Sequence, residues 1–175
     1  MTTANLPSLY GKSLEFFHKK DITKSLEYFK MAMEFVRSKR DSNKLLTLLT
    51  EMLNYSRREA DKNLEAEVLK NLGQIHAIRK DFAKGLQSYQ QAMKIHKELG
   101  DEFGEAESME YIASDFAILG KYTFAIDYYR RALDIYQELG NQEKINKIAW
   151  EIKKIEEFSE EVDRNEYLLK KFNIN

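Results

Sequence analysis

The feature that most constrains the fold is a polar residue that recurs every 20 positions along the chain. The series begins with five Asp residues and continues with Lys, Asn and Glu: Asp21, Asp41, Asp61, Asp81, Asp101, Lys121, Asn141 and Glu161. Between these marks, apolar residues recur three or four positions apart, as in Leu69, Leu72 and Ile75. That is the period of an amphipathic helix, so the spacing predicts about nine helices with a turn within two residues of each mark.

The residues at the marks suit helix ends. An Asp can accept hydrogen bonds from the free amides at the start of the following helix. Gly100, Gly120 and Gly140 stand just ahead of three marks, where a helix often ends in a left-handed residue. Such short turns force neighbouring helices to run antiparallel, and amphipathic hairpins stack to bury their apolar faces. We therefore predict an all-α fold, an α-solenoid of antiparallel helix pairs, with residues 160 to 172 as a separate capping helix.

A second period of 40 residues indicates that two helices form one repeat. Residues 69 to 99 align without gaps on residues 109 to 139, and small residues recur at equivalent positions. These small residues are Gly73, Gly85, Ala92, Ala113, Ala125 and Ala132. Small side chains allow two helices to approach closely. Replacing Ala125 or Ala132 by Leu is therefore predicted to cost about 1 to 3 kcal/mol.

At these positions the chain resembles the tetratricopeptide repeat family. The first helix of that repeat carries a large residue, a leucine, a small residue and an aromatic residue, and the second carries small, aromatic and small residues. The match is strongest from about residue 66 to 139. The 40-residue period is similar to the longer repeats of kinesin light chains and G-protein-signalling modulators. This resemblance implies a right-handed superhelix that holds a partner protein or peptide on its concave face, without catalysis.

The marks divide the predicted single domain, 1–175, into repeats. We expect an N-terminal helix (1–20), a degenerate repeat (21–60), two regular repeats (61–100 and 101–140) and a C-terminal repeat with capping helices (141–175). Unbroken alternation would make helices 2, 4, 6 and 8 the first helices of their pairs. Residues 20 to 35 nevertheless resemble residues 80 to 95, which would make helix 2 a second helix.

Composition argues against several function classes. With 28 basic and 29 acidic residues, the formal net charge is -1, which gives no general attraction for nucleic acid. The absence of cysteine excludes disulfides and thiolate metal sites and suits a reducing cytoplasm, where we expect the protein. No apolar stretch approaches the roughly 20 residues that span a membrane. Without a phosphate loop or histidines at metal-binding spacing, we predict no catalytic residues, metal or cofactor.

The resemblance also implies which side chains would face a partner. They are Glu67, Lys70, Gln74, Glu107, Glu110 and Ser114, with Trp150 at one rim. Three carboxylates and one lysine on the two central helices would favour a peptide that carries Lys or Arg. Reversing these carboxylates together should then weaken binding at least tenfold without shifting the melting curve.

Two alternatives stay open at each level. The same polar residues could be ordinary solvated positions, and Trp150 could be either an exposed anchor or a half-buried packing residue. The chain could instead be a self-assembling module that pairs through its end helices, or a helical regulatory subunit that controls an enzyme.

Overall fold

The structure, a computed structural model, describes the backbone of residues 5–36 and 39–172 and the side chains of residues 5–36 and 40–162. The described residues form eight α-helices and no strand. They are α1 (Leu6–His18), α2 (Ile22–Met33), α3 (Lys39–Arg58), α4 (Lys62–Ile78), α5 (Phe82–Leu99), α6 (Glu102–Ile118), α7 (Tyr122–Glu138) and α8 (Gln142–Phe172). The predicted all-α class is confirmed.

The helices fall into two compact units, Met1–Ala92 and Met93–Asn175. In the first unit α1 packs on α2 and α3 packs on α4, while in the second unit α7 packs on both α6 and α8. Consecutive helices run antiparallel. Arg57, near the end of α3, reaches Glu65 at the start of α4 with an Nε–Oε1 distance of 2.8 Å. At the opposite end, Arg79 Nη1 donates to Ser42 Oγ at 3.0 Å.

Left-handed residues end most of the helices at the predicted marks. The backbone φ is positive at Lys20, Ala60 and Lys80 and at three glycines, Gly100, Gly120 and Gly140. The residue that follows each one donates its amide to a carbonyl five positions earlier, as Asp101 does to His96 at 2.9 Å. This bond closes the helix end. Polar side chains then cap the next helix: Asp61 accepts from the Leu64 amide at 2.9 Å and Asp101 from the Gly104 amide at 2.9 Å.

Two predicted turns are wrong. α2 ends at Met33 and α3 begins at Lys39, so Asp41 lies in the first turn of α3, where an acidic residue favours the helix N-terminus. α8 runs without a break from Gln142 to Phe172, so residues 160 to 172 do not form a separate capping helix. Unlike Lys121 and Asn141, Glu161 is not preceded by glycine, and the sequence around it offers no residue that would stop a helix.

The pairing of helix 2 also differs from the assignment based on alternation. Ser13 Oγ donates to the Ser25 carbonyl at 2.7 Å, and Ser25 Oγ donates to the Ser13 carbonyl at 2.7 Å. Both serines are fully buried, and they are 12 positions apart, as are the fully buried Ala113 and Ala125 of the α6–α7 pair. α2 is therefore the second helix of a pair with α1, and its assignment as a first helix is wrong. The repeat boundaries stay a proposal.

The small residues of the second unit lie where side-chain volume is restricted. Ala125 is fully buried, in a cluster that includes Met109, Tyr129 and Ile152. We expect Ala125→Leu to lower the free energy of unfolding by about 1 to 3 kcal/mol, because the added carbons must displace close-packed neighbours. Ala149→Leu, on the exposed side of α8, is the matched control and should change stability by less than about 0.5 kcal/mol. Equal melting midpoints for the two variants would contradict the assigned close contact.

Candidate protein-binding site

The predicted partner-facing residues of α4 are occupied by contacts within the first unit. Glu67 lies 2.8 Å from Lys30 Nζ on α2 and 2.8 Å from Lys70 Nζ on its own helix. Burial raises the pKa of Glu67, but the two ammonium groups outweigh it and hold the pKa at about 2. Lys70 is 8% exposed, and Gln74 is half-buried. The Glu67 carboxylate is thus neutralised by this chain's own lysines.

On α6 the arrangement is similar. Glu110 is 9% exposed, and its Oε2 accepts from Tyr136 Oη at 3.2 Å and lies 3.0 Å from Lys144 Nζ. Its other oxygen contacts Lys147 Nζ, and Glu107 Oε1 lies 3.3 Å from Lys144 Nζ. Burial raises the pKa of Glu110, but the lysines bring it below its ordinary value. α6 and α8 are therefore joined through a shared ion cluster.

These pairs change the electrostatic reading of the predicted site. The sequence argument weighed three carboxylates against Lys70 alone, but Lys30, Lys144 and Lys147 come from other helices and neutralise them. Lys30 and Lys147 occupy the same helical positions as the other predicted partner-facing residues, which was the available signal. Since Glu67 and Glu110 are largely buried, reversing their charge would leave lysines facing lysines and would also lower stability.

A pocket of about 420 Å³ opens beside the ion cluster in the second unit. Its lining comes from the end of α6, from α7 and from the middle of α8: Ser114, Ala117, Ile118, Tyr122, Tyr129, Glu151, Lys154, Ile155 and Phe158. The rings of Tyr122 and Phe158 meet edge to face with centroids 5.6 Å apart. Ile118 is 65% exposed and Phe158 is 52% exposed. The pocket therefore presents an apolar wall to solvent.

Trp150 lies on the same helix as one wall of this pocket. Its side chain is 58% exposed, so it is not a packing residue of the second unit. Lys154 Nζ lies 4.7 Å from the centroid of the Trp150 ring, and Lys154 also lines the pocket. Trp150, Lys154 and Phe158 follow each other at intervals of four residues, so they share one face of α8.

The structure thus brings together only some of the predicted residues. In the second unit, Glu107, Glu110 and Ser114 on α6 lie on the side that meets α7 and α8, and Trp150 lies on α8. Sequence reasoning missed the pocket, apart from Ser114. Ile118 and Phe158 could have drawn attention as large apolar residues beside predicted turns, but their shared pocket depends on how three helices pack.

Among the described residues there is no group of His, Asp and Glu that could hold a metal ion. Within the same part of the chain, no helix is both long enough and apolar enough to cross a lipid bilayer.

Paired antiparallel helices, small residues at the contacts and a left-handed residue at each turn define a helical-repeat protein. Residues 64–138 match the tetratricopeptide repeat family, and this part of the chain belongs to that family. The finer resemblance to kinesin light chains stays a prediction. No curated protein matches the sequence.

Two solved structures share this fold. The first is BtubC (BKLC) from P. vanneervenii, with a TM-score of 0.75 and 21% identity over 91% of this chain and 67% of that chain. The second is the Signal Transduction ATPase with Numerous Domains (STAND) protein with a tetratricopeptide repeat sensor from Pyrococcus horikoshii. For it the TM-score is 0.61 and the identity 20%, over 91% of this chain and 30% of that chain. At these identities the likeness establishes the α-solenoid fold and nothing more.

Proposed function

We propose that this chain is a non-catalytic scaffold that binds a partner protein or peptide through the second unit. Tetratricopeptide repeats generally mediate protein–protein interactions. The observation that carries the proposal is the group of large apolar side chains left in solvent around one pocket: Ile118, Trp150 and Phe158 are each more than half exposed. Exposed aromatic and aliphatic groups that rim a pocket are typical anchors for a partner.

The docking surface that we propose consists of the pocket and the α8 face that carries Trp150. An apolar side chain of the partner would fill the pocket between Ile118 and Phe158, and Trp150 would cover a neighbouring residue. Lys154 lies between these two positions, and 61% of its side chain is exposed. Glu107, Glu110 and Ser114 would line the floor of this surface.

The set Glu67, Lys70 and Gln74 on α4 stays part of the proposed partner-facing surface, but with a smaller role. A partner that carries Lys or Arg would have to compete with Lys30 and Lys70 for Glu67, and with Lys144 and Lys147 for Glu110. Exposed ion pairs are each worth less than about 1 kcal/mol, so apolar contacts should dominate the affinity. We propose a cytoplasmic location, which the cysteine-free sequence suits.

The test uses peptides selected from a random library displayed on phage against the intact chain. We expect the selected peptides to share an apolar side chain. Their affinity, measured by fluorescence polarisation, should fall at least tenfold in Trp150→Ala and in Ile118→Ser, because burying a large apolar side chain contributes about 1.5 to 3 kcal/mol. Leu139→Ser is the control, since Leu139 is 43% exposed at the opposite end of α7.

Two results would count against the proposal. Peptides that bind all three variants equally would place the interaction elsewhere. A mass that rises with concentration and falls back in Ile118→Ser would indicate instead that the apolar surface serves self-assembly. A regulatory subunit would use the same surface, with an enzyme as the partner.

A further inference from the structure

A second groove lies in the first unit, between α1 and α3. One of its ends is lined by Leu6, Pro7, Tyr10, Arg40, Asp41, Lys44 and Leu45. The other end is lined by Phe17, His18, Lys20, Glu51, Asn54, Tyr55 and Arg58. The start of α1 therefore faces the start of α3, and the end of α1 faces the end of α3. The two helices run parallel, and the groove follows them.

The floor of the groove is aromatic, and cations lie over it. The rings of Phe17 and Tyr55 meet edge to face with centroids 5.9 Å apart. Arg58 Cζ lies 5.3 Å from the centroid of the Tyr55 ring, and Lys44 Nζ lies 5.8 Å from the centroid of the Tyr10 ring. Cations held over aromatic faces keep their donors directed to solvent, where they can reach a bound anion.

The charge of the lining is positive. Four Lys or Arg side chains stand against two carboxylates, Asp41 and Glu51. Three of the four cations, Lys20, Lys44 and Arg58, are exposed residues. Arg58 also contacts Glu59 at 3.1 Å, but 70% of its side chain is exposed. The ion clusters of α4 and α6 are neutral by comparison, so this groove is the more strongly cationic surface.

The length of the groove limits what can occupy it. From Pro7 to His18 the helix rises by roughly 17 Å at 1.5 Å per residue. An extended chain covers that distance in about five residues. Apolar contacts are available at both ends, with Leu6 and Leu45 at one and Phe17 at the other.

We propose that the α1–α3 groove binds an extended acidic segment of a partner protein, with two apolar side chains about five positions apart. The apolar side chains lie against the two ends of the groove, and Asp or Glu residues between them face Lys44, Lys20 and Arg58. This surface belongs to the first unit and is independent of the pocket at Ile118. Nucleic acid fits the groove less well, because Asp41 and Glu51 would face its phosphates and the leucines would face its sugars.

The experiment measures the binding of a labelled synthetic peptide to the full chain. The probe is about nine residues long, with Phe at its second and seventh positions and Glu or Asp at the others. We expect the probe to bind in low salt, and its affinity to fall with rising salt and to fall at least tenfold in the Lys44→Glu, Arg58→Glu double variant. The matched control is Lys94→Glu with Lys153→Glu, which makes the same change of charge at exposed positions of the second unit.

Each remaining outcome overturns the proposal. No binding of the probe in low salt excludes an acidic occupant, and equal binding of a peptide with Lys in place of Glu excludes the basis in charge. Tighter binding of an oligothymidine strand would assign the groove to nucleic acid. Concentration-dependent self-association that Lys44→Glu with Arg58→Glu abolishes would make a second copy of this chain the occupant. Ile118→Ser should leave probe binding unchanged, which separates this result from a failure of the proposed pocket.

Discussion

Replacing Gly73 by Ala should lower the free energy of unfolding by about 2 to 3 kcal/mol, although Ala favours a helix more than Gly does. Gly73 lies inside α4, and a Cβ atom there would overlap the ring of Tyr89, with Cζ at 2.6 Å. Tyr89 is 1% exposed and has no free space into which to move. Over-packing of a core costs about 1 to 3 kcal/mol, which exceeds the helical gain of up to about 1 kcal/mol.

Gly11 provides the matched control for this substitution. It also lies inside a helix, α1, but no atom lies within 4 Å of where its Cβ would be. We expect Gly11→Ala to raise stability by about 0.5 to 1 kcal/mol through helix propensity alone. Chemical denaturation of both variants gives the comparison. If Gly73→Ala also stabilised the protein, the close contact between α4 and Tyr89 would be wrong.

The second large effect concerns Asp115, a carboxyl group buried near the end of α6. Asp115 is 3% exposed, and burial raises its pKa from 3.8 to about 6. Its Oδ2 has no hydrogen-bond partner among the described residues. The residue also lies near the C-terminal end of its helix, where the helix dipole disfavours negative charge.

The direction of the pH effect follows from this raised pKa. Below about pH 4 the carboxyl is protonated in both the folded and the unfolded chain, so it costs nothing. As pH rises from about 4 to 6 the unfolded chain releases the proton first, and stability falls. Above pH 6 the penalty is complete and, from a pKa difference of about two units, amounts to roughly 3 kcal/mol.

Asp115→Asn removes this titration while keeping the side-chain volume. We expect the variant to be about 2 to 3 kcal/mol more stable than the wild type at pH 8 and to lose that advantage at pH 4. Asp134→Asn, at an exposed position on α7, should change stability little at either pH. Equal gains at both pH values would indicate a packing effect, and no gain at pH 8 would mean that the folded protein tolerates the charge.

The sequence by itself determined the helices, most of their ends and the close contacts. Gly100, Gly120 and Gly140 allow the left-handed residue that a helix end requires, and Asp61 and Asp101 cap the next helix. These are local interactions between residues a few positions apart, so a spacing of 20 residues was enough to reveal them. The small residues that recur every 40 positions likewise predicted where the helices approach, and Ala113, Ala125 and Ala132 are all fully buried.

Only the tertiary structure decided which helices pair and which charges meet. The Ser13–Ser25 contact places α2 beside α1, and Glu110 meets Lys144 from a helix more than 30 residues further along the chain. The pocket at Ile118 and Phe158, and the groove between α1 and α3, likewise depend on the packing of three helices or of two that are not consecutive. Helical periodicity fixes the face on which a side chain lies. It does not fix which helix covers that face, because the covering helix is chosen by packing over the whole unit.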